Sequence, residues 1–206
     1  MFNPKYTVKL GEKEEVIGVD FLQAYAAKYK LDRYANGRFS WFFVLQMFMY
    51  HKMFDIEPYM IVDAIKELEG CTEVNLIKKE TQFKRKPLKG LWHKHYFSAR
   101  FLMKNIVVHH GQSGIKRLIA KHWDGKSEIS DEQLSNIIDD FGINAFQERS
   151  NKGNLTGEWI VFAKYNDENY YLSLGEHSGC DRKLYEMIVS TCTPQFKFLS
   201  TILEQS

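Results

Sequence analysis

Two histidines separated by one residue, His93 and His95 in Leu91-Trp92-His93-Lys94-His95-Tyr96, bring the most versatile chemistry in this sequence. In an extended strand alternate side chains share a face. Both imidazoles then project to one side, and Trp92, Lys94 and Tyr96 to the other. Arg100 and Lys104 follow at a spacing that places them together on one face of a helix. Imidazoles titrate near neutrality. One can take the 2′-hydroxyl proton of RNA and a protonated partner can supply the leaving oxygen, while guanidinium and ammonium groups hold the phosphate as its charge develops. That is the chemistry of metal-independent RNA cleavage. His177, in Gly175-Glu176-His177-Ser178-Gly179, follows a strand and is an alternate acid. The competing reading makes His93 and His95 packing residues in an aromatic setting.

A His-x-His pair with a later ligand can also hold zinc. Glu80 and Asp124 are the only acids from 78 to 125, however, so no metal and no cofactor is expected. Glu158 and Lys164 stand six apart on one strand, unlike the closely spaced acid and lysine of a two-metal nuclease. No Walker loop, dinucleotide fingerprint or nucleophile elbow is present.

A second constellation is Gly111-Gln112-Ser113-Gly114 followed by Ile115-Lys116-Arg117. A turn bounded by Gly111 and Gly114 and leading into a helix exposes backbone N–H groups, and Lys116 and Arg117 in the first helical turn complete an anion site. Over roughly ten residues this resembles the GXXG loop of KH domains, which clamps a nucleic-acid backbone. The spacing to the next isoleucine departs from that pattern, and an ordinary corner between two helices is the alternative.

Charge directs these groups toward polyanions. The net charge is only +2, yet residues 78–125 carry 12 Lys/Arg against 2 Asp/Glu, and five of the seven histidines lie between 93 and 122. Residues 126–206 carry 7 against 13. Because charge acts over roughly 10 Å at ordinary salt, the middle block can hold an anionic polymer that the whole chain would hardly attract. Lys84, Arg85, Lys86, Lys89, Lys94, Lys104, Lys116 and Arg117 are the expected phosphate contacts. Trp92, Tyr96 and Phe97, with Tyr165 and at least one of Tyr170 and Tyr171 (Tyr171 the choice), are the aromatic faces suited to stacking on unpaired bases, and core or cross-strand pairing is the alternative. The alternative is that the acidic C-terminal third folds over the block and neutralises it.

The elements that must position these groups follow from patterning. With 206 residues, 44% hydrophobic and 26% charged, the chain can bury a core, and disordered or collagen-like classes are excluded. Residues 6–19 suggest a hairpin, and Asp20 suits the N-cap of a helix through Lys30. Ser40 caps a helix through Met53 that is apolar nearly all round, so it is expected to be central. Its apolar stretch Phe39–Tyr50 is far short of the roughly 20 residues of a membrane span. Pro58 opens a third helix ending at Gly70. Residues 72–96 read as extended with a turn at 87–90. Helices are expected from Ser98 to Val108, from Ile115 to Trp123 and from Ser130. Glu158–Tyr165 and Asn169–Leu174 form a hairpin, and helices over 181–189 and 195–203 follow.

The expected class is α+β, mostly helical with a small antiparallel sheet that includes a C-terminal β-hairpin. Residues 1–70 form a helical N-terminal unit, separate or part of one core, and 71–206 a basic α+β unit. With no export signal and three cysteines at no ligand spacing, a reducing compartment, the cytoplasm, is expected, without membrane contact. The function expected is action on nucleic acid, RNA before DNA; if the protein is an enzyme, the reaction expected is metal-independent cleavage by the histidine pair. The alternatives are a non-catalytic nucleic-acid-binding module, or an inhibitor- or immunity-type protein with a protein partner.

Overall fold

A computed structural model describes residues 2–72, 79–96, 116–117, 119–125, 130, 132–133, 136, 158–176 and 180–204. The chain divides into two compact units, one of Met1–Phe97 with Glu158–Ser206 and one of Ser98–Gly157. The class is α+β. The expected residues Phe97, Arg100, Lys104, Gly111, Gly114 and His177, and the helix expected from Ser98, lie outside the described residues.

In the first unit, β1 (Lys5–Leu10) and β2 (Lys13–Gly18) form a two-stranded antiparallel hairpin. The loop between Leu10 and Lys13 starts with a positive φ of 65°, which Gly11 supplies without steric cost. Four helices follow: α1 (Val19–Lys28), α2 (Leu31–Ala35), α3 (Trp41–Phe54) and α4 (Pro58–Leu68). The start of α1 departs from expectation, because Gly18 is the N-cap and Asp20 lies in the first turn, where its charge meets the helix dipole. At α3 the expected cap is present. The Ser40 hydroxyl accepts from the Phe43 N–H at 2.9 Å and donates to the Leu172 carbonyl at 2.7 Å, tying the helix start to the sheet. Pro58 opens α4, where its missing N–H costs nothing.

A four-stranded antiparallel sheet runs in the order β3 (Thr81–Gln82), β4 (Trp92–Tyr96), β5 (Glu158–Tyr165), β6 (Glu168–Glu176). Residues 98–157 are therefore an excursion between two neighbouring strands that meet at Tyr96 and Glu158. The helices α5 (Asp181–Cys192) and α6 (Leu199–Glu204) close the chain. On one face of the sheet, Ile160, Phe162, Tyr171 and Leu174 pack with the buried residues of α1 to α4. On the other, Trp159, Val161, Ala163 and Leu172 pack with Leu184, Ile188 and Cys192 of α5, Leu199 and Leu203 of α6, and the loop residues Leu88 and Leu91. Strand β5 is thus buried on both faces, which is why it reads as an unbroken apolar run and not as an alternation. Full burial of Ile160, Val161 and Phe162 contributes roughly 1.5–3 kcal/mol each.

A bulge opposite Val161 and Phe162 leaves Leu172 as the extra residue of β6. It shifts the alternation, so Tyr171 and Leu174 face the same core although three apart. The outer edge of β6 is occupied. Tyr171 N–H donates to the Arg38 carbonyl and Ser40 N–H to the Tyr171 carbonyl, both at 2.8 Å. The Gln46 amide then pairs with the backbone N–H and C=O of Leu174, at 2.8 and 3.2 Å.

The hairpin turn is Asn166-Asp167, both at positive φ (50° and 61°), as a type I′ loop requires. Left-handed backbone strains a side-chain-bearing residue by about 1 kcal/mol or more, while glycine loses about 0.5–1 kcal/mol in entropy. Asp167→Gly is expected to raise the unfolding free energy by about 0.5 kcal/mol in a urea melt; a lowered midpoint would contradict the turn.

Of the second unit, residues 116, 117 and 119–122 are helical, within the helix expected from Ile115 to Trp123. Ser130 and Gln133 form a reciprocal capping box: Gln133 N–H donates to the Ser130 hydroxyl at 3.2 Å, and Ser130 N–H to the Gln133 amide oxygen at 2.9 Å. No helix among the described residues is long and apolar enough to cross a membrane.

Candidate nucleic-acid interface

The connection from β3 to β4 carries a concentrated positive charge, and two leucines determine how it is displayed. Leu88 and Leu91 are fully buried under the sheet. Phe83 N–H donates to the Leu91 carbonyl at 2.9 Å and Leu91 N–H to the Leu88 carbonyl at 3.1 Å, closing the loop on itself. Anchored there, the loop must turn its charged residues outward. Lys84, Arg85, Lys86 and Lys89 are all exposed, and among the described residues none of them is in an ion pair. Gly90 completes the turn at φ 89°, where a side chain would be strained.

Beside this loop lies an open groove of about 490 Å³. Lys84 and Lys89 form one side, and Phe83 and Trp92 supply aromatic surface. Lys164 from β5 forms the far side, its Nζ 4.2 Å from the centre of the Trp92 ring and 3.2 Å from Glu80 Oε1. Burial pushes the Glu80 carboxyl up, but hydrogen bonds from its own backbone and from Lys164 outweigh this and hold it below its ordinary range.

His93 and His95 share one face of β4, as alternation requires, with ring centres 5.7 Å apart. Both are half-buried. Trp159 of β5 packs against them at 4.8 and 6.2 Å, and Phe83 against His93 at 4.6 Å. Phe83 therefore links the imidazole pair to the groove, whose lining includes neither histidine.

Lys94 is on the opposite face and does not reach solvent. Its Nζ lies 2.7 Å from Glu67 Oε2 of α4, with side chains only 4% and 5% exposed. The expected phosphate contact is thus a buried ion-pair partner, because the strand face that excludes His93 and His95 is the one covered by α4. Tyr96, on the same face, donates its hydroxyl to Glu158. Tyr171 is likewise fully buried, against Phe43 and Phe162, and donates its hydroxyl to Glu69. Glu69 is held in turn by Arg38 at 2.7 Å and Asn169 at 3.1 Å. The choice of Tyr171 as the stacking face is therefore overturned by its burial, and Tyr170, on the opposite face, is the one of the pair that stays part-exposed. Tyr170 packs on Phe196 and Phe198. Lys116 and Arg117 are exposed in the second unit. Among the described residues, no three His, Cys, Asp or Glu side chains gather as a metal site.

Sequence reasoning missed Glu67 as the partner of Lys94, and weighed Glu158 and Lys164 only as a nuclease pair, not as the partner of Tyr96 and the far side of the groove. The one local signal was Glu158 opening an otherwise apolar strand. Removing one partner of a buried ion pair costs about 3–5 kcal/mol, whereas an exposed surface change costs within about 0.5 kcal/mol. Urea denaturation should therefore show Lys94→Ala strongly destabilised and Lys84→Ala unchanged; equal effects would contradict this division of the cations.

No family model, no curated protein and no solved structure matches the chain.

Proposed function

We propose that the protein binds nucleic acid, RNA before DNA, through the loop of residues 84–89 and the groove beside it. The observation that carries this reading is the display of Lys84, Arg85, Lys86 and Lys89, exposed and without carboxylate partners among the described residues, on a loop pinned by buried Leu88 and Leu91. Unneutralised cations on a fixed frame suit a phosphate backbone, because binding releases condensed counterions without first breaking protein ion pairs. The aromatic groove adjoining them suits bases. On the groove a protein partner would meet one sign of charge, from Lys84, Lys89 and Lys164, unlike the mixed and apolar centre of most protein interfaces. Lys86 lines a separate cavity with Arg182, Glu186 and Glu204.

A second reading, metal-independent cleavage, rests on the two imidazoles 5.7 Å apart on β4. Their packing under Trp159 and Phe83 and their absence from the groove lining favour binding over catalysis, since a general base must come within hydrogen-bond reach of its proton.

Fluorescence anisotropy with a labelled RNA oligonucleotide tests both. Lys84→Gln/Arg85→Gln is expected to weaken binding roughly tenfold at moderate salt, with His93→Ala neutral. Undiminished affinity in the double variant overturns the proposal. Cleavage of the same RNA in EDTA, lost in His93→Ala or His95→Ala, would make the protein an enzyme. Absence of any RNA binding, with a partner co-purifying, would favour the protein-interaction alternative.

A further inference from the structure

The groove holds a detail that phosphate binding alone does not use. Lys164 is shared between a carboxylate and an aromatic face, with Nζ 3.2 Å from Glu80 Oε1 and 4.2 Å from the centre of the Trp92 ring. The ammonium covers the ring surface that the groove would otherwise offer. Both charged side chains are part-exposed, at 39% and 32%, so the ion pair is solvent-screened and weak.

We infer that the groove takes an unpaired strand, one base stacking on Trp92, and that Glu80 gates it by holding Lys164 over the ring until a phosphate draws the lysine away. This rests on the nucleic-acid reading above and specifies its substrate class. A double helix keeps its bases stacked inside and presents only phosphates and groove edges, so Phe83 and Trp92 would be idle against it. The groove's 490 Å³ falls in the small-ligand range of about 300–1,000 Å³, which suits a nucleotide and not a duplex. A phosphate that replaces Glu80 as the partner of Lys164 keeps the ammonium neutralised and uncovers the indole in one movement. Lys84 and Lys89, already on the groove wall, take the neighbouring phosphates.

The full-length chain is titrated with a labelled ten-nucleotide oligouridylate and with a ten-base-pair RNA duplex. The single strand is expected to bind at least about tenfold tighter than the duplex. Trp92→Leu should remove most of that preference by lowering single-strand affinity roughly tenfold, and Trp92→Phe, which retains a ring in the same packing, should keep part of it. Glu80→Gln should tighten single-strand binding several-fold, and that gain should vanish in Glu80→Gln/Trp92→Leu, because the released lysine then uncovers no ring. Equal affinity for the two probes, or a gain that persists without the ring, overturns the inference while the broader nucleic-acid reading survives. Failure of both probes to bind overturns the two together.

Discussion

The organisation of the first unit depends on the burial of the β5–β6 hairpin on both of its faces. An antiparallel hairpin usually keeps one face wet. Here α1 to α4 cover one side and α5, α6 and the 83–91 loop the other, so most of both strands is enclosed and exposure is concentrated at the turn end, residues 164–168. The outer edge of β6 is closed as well, by the 38–40 backbone and the Gln46 amide, which removes a row of groups that would otherwise invite pairing with another chain. At the hairpin's turn end, Arg38, Glu69, Asn169 and Tyr171 form one hydrogen-bonded cluster. Burial pushes the Glu69 carboxyl up, but its hydrogen bonds from Arg38, Tyr171 and Asn169 prevail and hold it low, so the cluster stays charged at neutral pH.

The same constraint sorts the positive charges. A cation on a covered face must bring a counter-charge with it, since stripping water from an ion costs several kcal/mol. Lys94 does so through Glu67. The lysines and arginine of the 84–89 loop avoid that cost by hanging from two buried leucines at the rim of the second core. Cations of the second kind are free to exchange water for phosphate. A charge tally over 78–125 mixes the two kinds, and it also spans residues of both units.

The signals that local chemistry controls were legible in the sequence. The Ser40 cap, Pro58 at the head of α4, the apolar all-round α3 and the turn between β5 and β6 depend on residues within a few positions of one another, and they stand where patterning places them. Non-local facts were not legible. Alternation implied that Tyr170 and Tyr171 point to opposite faces, but it cannot reveal which of the two the helices enclose, nor the bulge at Leu172. The partner of Lys94 is 27 residues upstream on a helix whose apolar stripe does not include Glu67. The pairing of β4 with β5 across residues 98–157 joins the 1–70 helices and the C-terminal hairpin in one core, and nothing near either strand announces it. The imidazoles of His93 and His95 share a face as expected, whereas the packing of Trp159 over them depends on that same distant pairing.

The slope of log association constant against log salt for a single-stranded oligonucleotide counts the phosphates neutralised, about 0.7 per contact. If the 84–89 loop is the docking surface, its four cations give a slope of about −3, and replacing Lys84, Arg85, Lys86 and Lys89 together by glutamine removes most of it without unfolding the chain. A flat salt dependence in the native protein, or an undiminished slope in the fourfold variant, would contradict the account.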